Sequence, residues 1–346
     1  MKMDYSKYRF TAVVDWIDLE VHTINRHPAW RIHEASAGAF SYVTGLDPAT
    51  GVNIMQSGAQ RENTPTSRFL VRVQNPPRFA AMTEALSSIE DRDPEAAVTV
   101  RSIEVSLDAY RRPGTTDEQL AEMAGYMLRG VNRPEGAYEA PRFFDWRGLT
   151  EQRHGRQAVE SAILRGRTAM YGNADDPYIV RGYLKNYDTF KNDNGTAERR
   201  DITDLLQHRA RVEVRLQGTH CPVATLNDLR NFQFQSLGKF FKFREPTNAS
   251  EGVLAIVVAK MPSFGNTING AGEAIPASRN RGRSRKSRPH TKASALNERA
   301  RDQLRKLSCR WIFNKDICDK NSGADATVGD RRPPPRRRQP DTRITQ

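Results

Sequence analysis

Alternation of apolar and polar residues over short segments is the feature that most restricts the fold of this chain. Segments that show this period and are rich in β-branched residues cover 10–21, 69–73, 98–107, 178–184 and 211–216. Such alternation is typical of strands that bury one face, whereas strands of parallel doubly wound sheets are continuously apolar. Helical spacing between them covers 78–89, 116–128, 156–164 and 224–234. The pattern predicts an α+β fold with a largely antiparallel sheet flanked by helices.

Positive charge is concentrated toward the C-terminus. The 346-residue chain has a formal net charge of +13, and residues 271–346 hold 20 Lys and Arg against 8 Asp and Glu, a balance of +12. Residues 1–270 are therefore nearly neutral. We predict a folded body over 1–270, with two subdomains at about 1–135 and 136–270, and a basic, mostly disordered DNA-contacting tail over 271–346.

The tail is dense in arginine without interleaved aromatic residues, a composition typical of electrostatic contact with nucleic acid. The expected DNA contacts include Arg283, Arg285 and Lys286. A solubilising tail without a specific partner is the alternative interpretation. Between the two arginine blocks, residues 295–313 show helical spacing of apolar positions, which predicts a small helix that docks on the body.

Several classes of protein lose support from what the sequence lacks. The longest clean apolar run, 253–259, is far shorter than the roughly 20 residues of a membrane helix. Three cysteines do not form a disulfide framework, and no secretory signal is visible, so we expect a cytoplasmic protein without a membrane partner. No phosphate-binding loop, dinucleotide-binding glycine motif or paired zinc histidines occur, which disfavours ATP hydrolysis, dinucleotide redox chemistry and zinc hydrolysis.

Acidic residues are aligned on the polar faces of the predicted strands. Alternation places Glu104 and Asp108 on one face of their strand, and Glu213 takes the same position on another. Aligned carboxylates can hold Mg²⁺ or Mn²⁺, which prefer oxygen ligands. Alternatively, these residues are simply the solvent faces of half-covered strands. Asp15 is predicted on the apolar side, where an unpaired carboxylate would be costly.

The segment 165–185 concentrates tyrosine, arginine and lysine around a Gly-Asn turn. A tyrosine oxygen can attack a phosphodiester when a metal ion polarises the phosphate and basic groups hold it. Tyr171 directly precedes the turn, which would leave its hydroxyl near a loop, although it could equally be a half-buried strand aromatic. The rival nucleophiles are Tyr178, Tyr183 and Tyr187, of which Tyr183 is expected to pack.

Four blocks in order, at residues 15–16, 102–108, 168–185 and 211–216, resemble motifs of one family of proteins. These are the replication initiators of filamentous phages and the Rep_trans-like nicking endonucleases of rolling-circle plasmids. The third block is similar to the family's Tyr-x-Gly-Ser…Arg-x-Tyr-x-Lys stretch and the fourth to its Arg-x-Glu-x-Arg-Leu. Asn173 stands where the family usually has serine, and the paired metal histidines of the wider nickase superfamily are absent.

The resemblance implies an enzyme that nicks the origin strand of a circular duplex, keeps the 5′ end on a tyrosine and leaves a 3′-OH primer. It would later rejoin the displaced strand. The residues that the resemblance assigns are Tyr171 and Lys185 in catalysis, Glu104, Asp108 and Glu213 at Mg²⁺ or Mn²⁺, and Arg165, Arg167 and Arg181 at phosphate. Implied partners are the origin duplex, the displaced single strand, and a host helicase and polymerase in the bacterial cytoplasm; a homodimer is left open.

The main alternative is a non-catalytic protein that binds single-stranded DNA or controls replication with the same body. It would use the basic tail and exposed Phe143, Phe144 and Trp146 as stacking surfaces. Incubation with a supercoiled origin plasmid and Mg²⁺ distinguishes the two functions, because only the enzyme yields a nicked circle with protein attached.

Overall fold

The computed structural model describes residues 3–36, 39–47, 49, 64–132, 141–144, 150–152, 156–173, 176–191, 197–244 and 293–313. The strands in this part of the chain are β1 Tyr8–His27, β2 Tyr42–Gly45, β3 Thr66–Gln74, β4 Ala97–Arg111, β5 Arg142–Phe144, β6 Thr150–Gln152, β7 Thr168–Tyr171, β8 Tyr178–Lys185, β9 Tyr187–Lys191, β10 Ala197–Asp201 and β11 Arg209–Gln217. Within the described residues, nine strands form one antiparallel sheet in the order β2-β3-β1-β4-β11-β8-β7-β5-β6, and β9 pairs with β10. The predicted α+β class with a largely antiparallel sheet is confirmed.

The helices of the described residues are α1 Ala29–Ala35, α2 Phe79–Glu90, α3 Asp117–Gly130, α4 Arg156–Leu164, α5 Leu226–Arg230 and α6 Ser294–Phe313. The helices other than α1, which was not predicted, lie close to the predicted positions. Thr116 begins α3 with a capping box, in which its side chain accepts from the Gln119 N–H. The predicted helix over 224–234 is shorter, because a capping box at Thr225 starts α5 but a 3₁₀ turn replaces its continuation at Phe234–Lys239. None of the described helices is long and apolar enough to cross a membrane.

The helices cover one face of the sheet. Alternate residues of β4, such as Ile103, Val105 and Leu107, are buried in one core cluster with the apolar sides of the helices. Gly182 on β8 allows α3 to approach closely, since a Cβ there would lie 3.0 Å from the Leu128 Cβ. The opposite face of the same strands carries the polar residues.

A β-bulge in β1 changes which face its side chains occupy. The pairing shifts from Val14 opposite Val105 to Trp16 opposite Glu104, so Asp15 is the extra residue. Such a bulge places two consecutive side chains on the same side of the sheet. The prediction that Asp15 lies on the apolar side is therefore wrong, because the bulge turns its carboxylate to the polar face.

The predicted docking helix in the basic C-terminal region is confirmed as α6. Its apolar stripe is buried, and the Trp311 Nε1 donates a hydrogen bond of 2.8 Å to the Leu229 carbonyl. The Asn297 side chain bonds both backbone groups of Phe243, at 2.7 and 2.9 Å. The predicted DNA contacts Arg283, Arg285 and Lys286 lie outside the described residues.

Candidate active site

The polar face of the sheet has two layers of charge. Six carboxylates lie next to the strands and are from 0 to 9% exposed, namely Asp15, Asp18, Glu20, Glu104, Asp108 and Glu213. Arginine side chains from β3, β8 and β11 extend over them and remain partly accessible to solvent. The face presented to solvent is therefore mostly cationic, although the groups beneath it are acidic.

Three of the carboxylates converge from three strands. One oxygen each from Asp15, Glu104 and Glu213 lies within 4.8 Å of the other two. Glu104 Oε1 is buried and has no hydrogen-bond partner. Three hard oxygen donors, one of them unsatisfied, are the donor set that Mg²⁺ or Mn²⁺ prefers, so the residues present fit such a cation. We call this set the carboxylate cluster.

The net pKa shifts differ in direction among the three residues of the carboxylate cluster. Burial raises the pKa of Glu104 well above its ordinary value, and the neighbouring carboxylates raise it further against the effect of Arg181. Burial also raises the pKa of Glu213. For Asp15, burial acts upward, but the Arg211 guanidinium, with smaller contributions from the two neighbouring glutamates, leaves its pKa below the ordinary value. The glutamates therefore hold protons to a higher pH than exposed carboxyls do.

Arg181 and Arg211 pair with the carboxylate cluster and compensate its negative charge. The Arg181 Nη2 donates to Glu104 Oε2, and its Nε lies 3.2 Å from Glu213 Oε2. The Arg211 Nη1 donates to Asp15 Oδ1 at 2.8 Å. Arg181, predicted as a phosphate contact, thus lies between the two glutamates and holds their geometry.

Asp108 does not join the carboxylate cluster. It stands opposite Arg211 in the register of β4 and β11, and the guanidinium takes both of its oxygens, at 2.6 and 2.8 Å. Such a bidentate pair occupies the oxygens that a metal would need. Asp15 lies where Asp108 was expected, beside Glu104 and Glu213.

Tyr183 brings a hydroxyl to the cluster. Its Oη donates a hydrogen bond to Glu213 Oε1, and its ring lines a cavity of about 390 Å³ together with Arg181 and Lys185. Burial raises the pKa of Tyr183 well above its ordinary value, and the Glu213 charge raises it further. The expectation that Tyr183 only packs is incomplete, because alternation along β8 places it on the face of Arg181 and Lys185.

The other tyrosines lie elsewhere. Tyr171 is 2% exposed and belongs to the hydrophobic core under the helices, so the expectation of a hydroxyl near a loop is wrong. The Tyr178 hydroxyl donates to the Asn132 carbonyl at 2.6 Å, also on the helix-covered side. The Tyr187 hydroxyl donates to the Gly166 carbonyl at 2.8 Å, at the border of the cavity. The structure brings Tyr183 to the carboxylates, not Tyr171.

The remaining predicted basic residues divide into two groups. The Lys185 Nζ lines the cavity and forms an ion pair of 2.6 Å with Asp188. Arg165 is exposed, and its Nε donates to the Ser161 carbonyl at 3.1 Å. Arg167 is half-buried at the start of β7 and does not line the cavity. Lys185 and Arg181 are therefore the predicted cations that reach the site.

The environment of Trp16 was not predicted from the sequence. The guanidinium carbons of Arg72, Arg181 and Arg215 lie 3.9, 5.0 and 5.8 Å from the centre of its ring. Burial lowers the pKa of Arg215. These side chains come from four strands, so the arrangement depends on strand pairing; the only local signal is the Arg-x-Glu-x-Arg pattern on β11.

The stacking surface proposed for a non-catalytic protein is not available as expected. Phe143 is 0% exposed, and Phe144 is half-buried with the Arg142 guanidinium 5.7 Å from its ring centre. Trp146 lies outside the described residues. An exposed aromatic pair at 143–144 was therefore a wrong prediction.

No family model matches the chain, and no curated protein matches it significantly. Among solved structures, it is similar to a rolling circle replication initiator protein from Geobacillus stearothermophilus, at 12% identity and a TM-score of 0.31. The similarity covers 69% of this chain and 89% of that chain. Because the TM-score is low, function has to be inferred from the geometry of the site.

Proposed function

We propose that this protein is a metal-dependent nicking and joining enzyme that initiates rolling-circle replication of a circular phage or plasmid duplex. The observation that carries the proposal is the contact between the Tyr183 hydroxyl and Glu213, a member of the carboxylate cluster, in a cavity lined by Arg181 and Lys185. A nucleophile, a proton acceptor, oxygen ligands and phosphate-binding cations meet there. The motif resemblance independently supports this class of enzyme.

The carboxylate cluster would hold the cation. Asp15, Glu104 and Glu213 offer one oxygen each, and the unpaired Glu104 Oε1 is the atom whose burial a cation would compensate. When bound, Mg²⁺ or Mn²⁺ would stabilise negative charge on the scissile phosphate. The orientation of the glutamates depends on Arg181, which contacts both of them.

In the proposed nicking step, the Tyr183 hydroxyl gives its proton to Glu213 while its oxygen attacks the phosphorus. A phosphotyrosine bond forms to the 5′ side, the bond from phosphorus to the 3′ oxygen breaks, and that oxygen takes up a proton from solvent as the 3′-OH. The raised pKa of Glu213 suits a group that accepts and later returns a proton. Joining reverses the step without ATP, which agrees with the missing phosphate-binding loop.

Lys185 would hold the substrate phosphate. Its Nζ pairs with Asp188, whose side chain is half exposed, so the ammonium can exchange this partner for a phosphate oxygen at little cost. Arg181 is less free to do so, because it already bridges two buried carboxylates. We therefore assign substrate binding to Lys185 and positioning of the glutamates to Arg181.

The test compares three tyrosine variants that remove one oxygen each. The substrate is a supercoiled plasmid that carries the coding region of this chain and its flanks, incubated with Mg²⁺ or Mn²⁺. Tyr183→Phe is expected to abolish the covalent protein–DNA adduct, while Tyr171→Phe and Tyr187→Phe retain it. A mass spectrum of the DNA-linked peptide names the nucleophile directly.

The outcomes separate the assignments. An adduct that persists in Tyr183→Phe and disappears in Tyr171→Phe would overturn the choice of nucleophile but not the class of enzyme. Retarded DNA with no nicked circle for the wild-type protein would instead support the non-catalytic replication-control protein.

A further inference from the structure

A second group of cations lies on the polar face beside the carboxylate cluster. The guanidinium groups of Arg72 and Arg215 share one carboxylate, Asp18. Arg72 takes both of its oxygens at 2.6 and 2.9 Å, and the Ser102 hydroxyl donates to Oδ2 at 2.8 Å. Arg215 reaches the same Oδ2 only at 3.4 Å. The acceptor capacity of Asp18 is therefore largely used before Arg215 is satisfied.

Arg215 is short of acceptors. Its Nε is buried without a hydrogen-bond partner. Its side chain lines a cavity of about 550 Å³ with Arg101, Ser102 and Gln217, and the only carboxylate among the described lining residues is Asp18. Arg101 enters the same cavity from β4; its side chain is 50% exposed, and its Nε forms an ion pair of 3.0 Å with Glu20, which does not line this cavity. A cavity with two arginines and one occupied carboxylate is suited to an anion.

The two cavities adjoin at Trp16. Trp16 lines the cavity of the carboxylate cluster, and the Arg215 guanidinium lies over the same ring from the second cavity. Arg215 is directly opposite Glu104 in the strand pairing and two residues from Glu213. Two residues of a strand span about 7 Å. That spacing is comparable to one nucleotide step of an extended single strand.

We propose that the cavity of Arg215 and Arg101 binds a backbone phosphate of single-stranded DNA adjacent to the scissile one. The inference rests on the proposed function, since the scissile phosphate defines the neighbouring position. A guanidinium fork matches two phosphate oxygens, and an incoming phosphate would supply the acceptor that Arg215 Nε lacks. The single-stranded DNA would then pass over the polar face at Trp16, with one phosphate in each cavity.

The experiment measures binding of a short fluorescein-labelled oligothymidylate by anisotropy at several salt concentrations, in EDTA. Each phosphate contact contributes about 0.7 to the slope of log affinity against log salt for single strands. Arg215→Gln and Arg101→Gln are each expected to lower that slope by about 0.7, while Arg215→Lys keeps it. Arg31→Gln is the matched control, because Arg31 is exposed on α1 and lies outside both cavities and the basic C-terminal region.

Unchanged slopes in both glutamine variants, with wild-type melting temperatures, would overturn the subsite. If Arg215→Gln does not fold, Arg101→Gln decides by itself, since its side chain is half exposed. The assay contains no metal and needs no cleavage, so its failure leaves the nicking proposal standing. If the glutamine variants lose the expected salt slope but the wild-type protein never forms a covalent adduct with DNA, the nicking proposal is overturned and the phosphate subsite stands.

Discussion

The two faces of the described sheet differ although the same strands build both. On β4, Ile103, Val105 and Leu107 are buried under the helices, and the residues that alternate with them include Glu104 and Asp108, which are equally buried on the other face. Apolar burial stabilises by roughly 25 cal/mol per Å². Burial of carboxylates costs free energy unless arginines and hydrogen bonds compensate, so the same degree of burial has opposite meaning on the two faces.

The helix-covered face maintains the fold, whereas the polar face carries the groups suited to chemistry. The helix-covered face buries the apolar core, and replacing buried ion pairs by apolar residues often leaves stability unchanged or higher. The polar face keeps six carboxylates and leaves buried polar atoms without partners, among them Glu104 Oε1 and Arg215 Nε. Retention of such a face is the expectation for a binding site, and variants on each face test this difference.

The largest expected effect comes from breaking the ion network. Arg211→Ala leaves Asp15 and Asp108 buried without their principal cation, so the free energy of unfolding should fall by about 3–5 kcal/mol. Denaturant unfolding measures this change. A double variant with Arg211→Met and Asp108→Leu should recover part of the loss, because Asp108 is removed together with its cation while Asp15 stays without it.

A loss below about 1 kcal/mol in Arg211→Ala would contradict the desolvation that the structure indicates. Such a small loss would mean that these ion pairs contribute as little to stability as exposed ion pairs do. The two faces would then differ less than their burial suggests.

The strands and helices could be predicted because periodicity is a local property of the sequence. Alternation of period two located five strands of the sheet, and the stripe from Leu296 to Trp311 located α6 within a region otherwise low in complexity. The length of α5 was less predictable. Helical spacing in the sequence continues to Phe234, but Phe234 lies in a 3₁₀ turn and packs against Trp311.

The membership of the site could not be predicted in the same way, because it depends on pairing between distant strands. The bulge at Asp15 exists only through the register of β1 against β4, and the partner of Asp108 is set by the register of β11. Tyr183 is different: the spacing of Arg181, Tyr183 and Lys185 already placed it on the polar face. The signal for the hydroxyl at the site was present in the sequence, whereas the signal for Asp15 was not.

The second prediction is that a variant on the polar face weakens metal binding and leaves stability nearly unchanged. Glu213→Gln removes one oxygen ligand, so the affinity for Mn²⁺ measured by titration calorimetry should fall at least about tenfold. The free energy of unfolding should change by less than about 1 kcal/mol, because the amide keeps the shape and one buried charge disappears.

Leu107→Ala is the matched control on the adjacent strand. It should lower the free energy of unfolding by about 2–5 kcal/mol while the folded protein keeps its Mn²⁺ affinity. Equal Mn²⁺ affinity in wild type and Glu213→Gln would show that the carboxylate cluster is not the cation site.

The smallest expected effect is a dependence of metal-free stability on pH. The folded-state pKa values of Glu104 and Glu213 lie above the ordinary 4.5, so from that pH upward the folded protein binds more protons than the unfolded chain. Stability must then fall as pH rises through the folded pKa values, because the protons that the folded state had retained are lost. The lowered pKa of Asp15 acts in the opposite direction, but only below its ordinary 3.8.

Glu104→Gln tests this sign, because its amide stays neutral at every pH. Melting temperatures in EDTA should decline as pH rises above the ordinary 4.5 in the wild type and decline less in Glu104→Gln. Mn²⁺ should raise the wild-type melting temperature more as the pH increases, because it binds the ionised glutamates, and should have little effect on the variant. Parallel declines in the two proteins would mean that Glu104 does not retain its proton in the folded state, and the contrast between the two faces would then lie in packing alone.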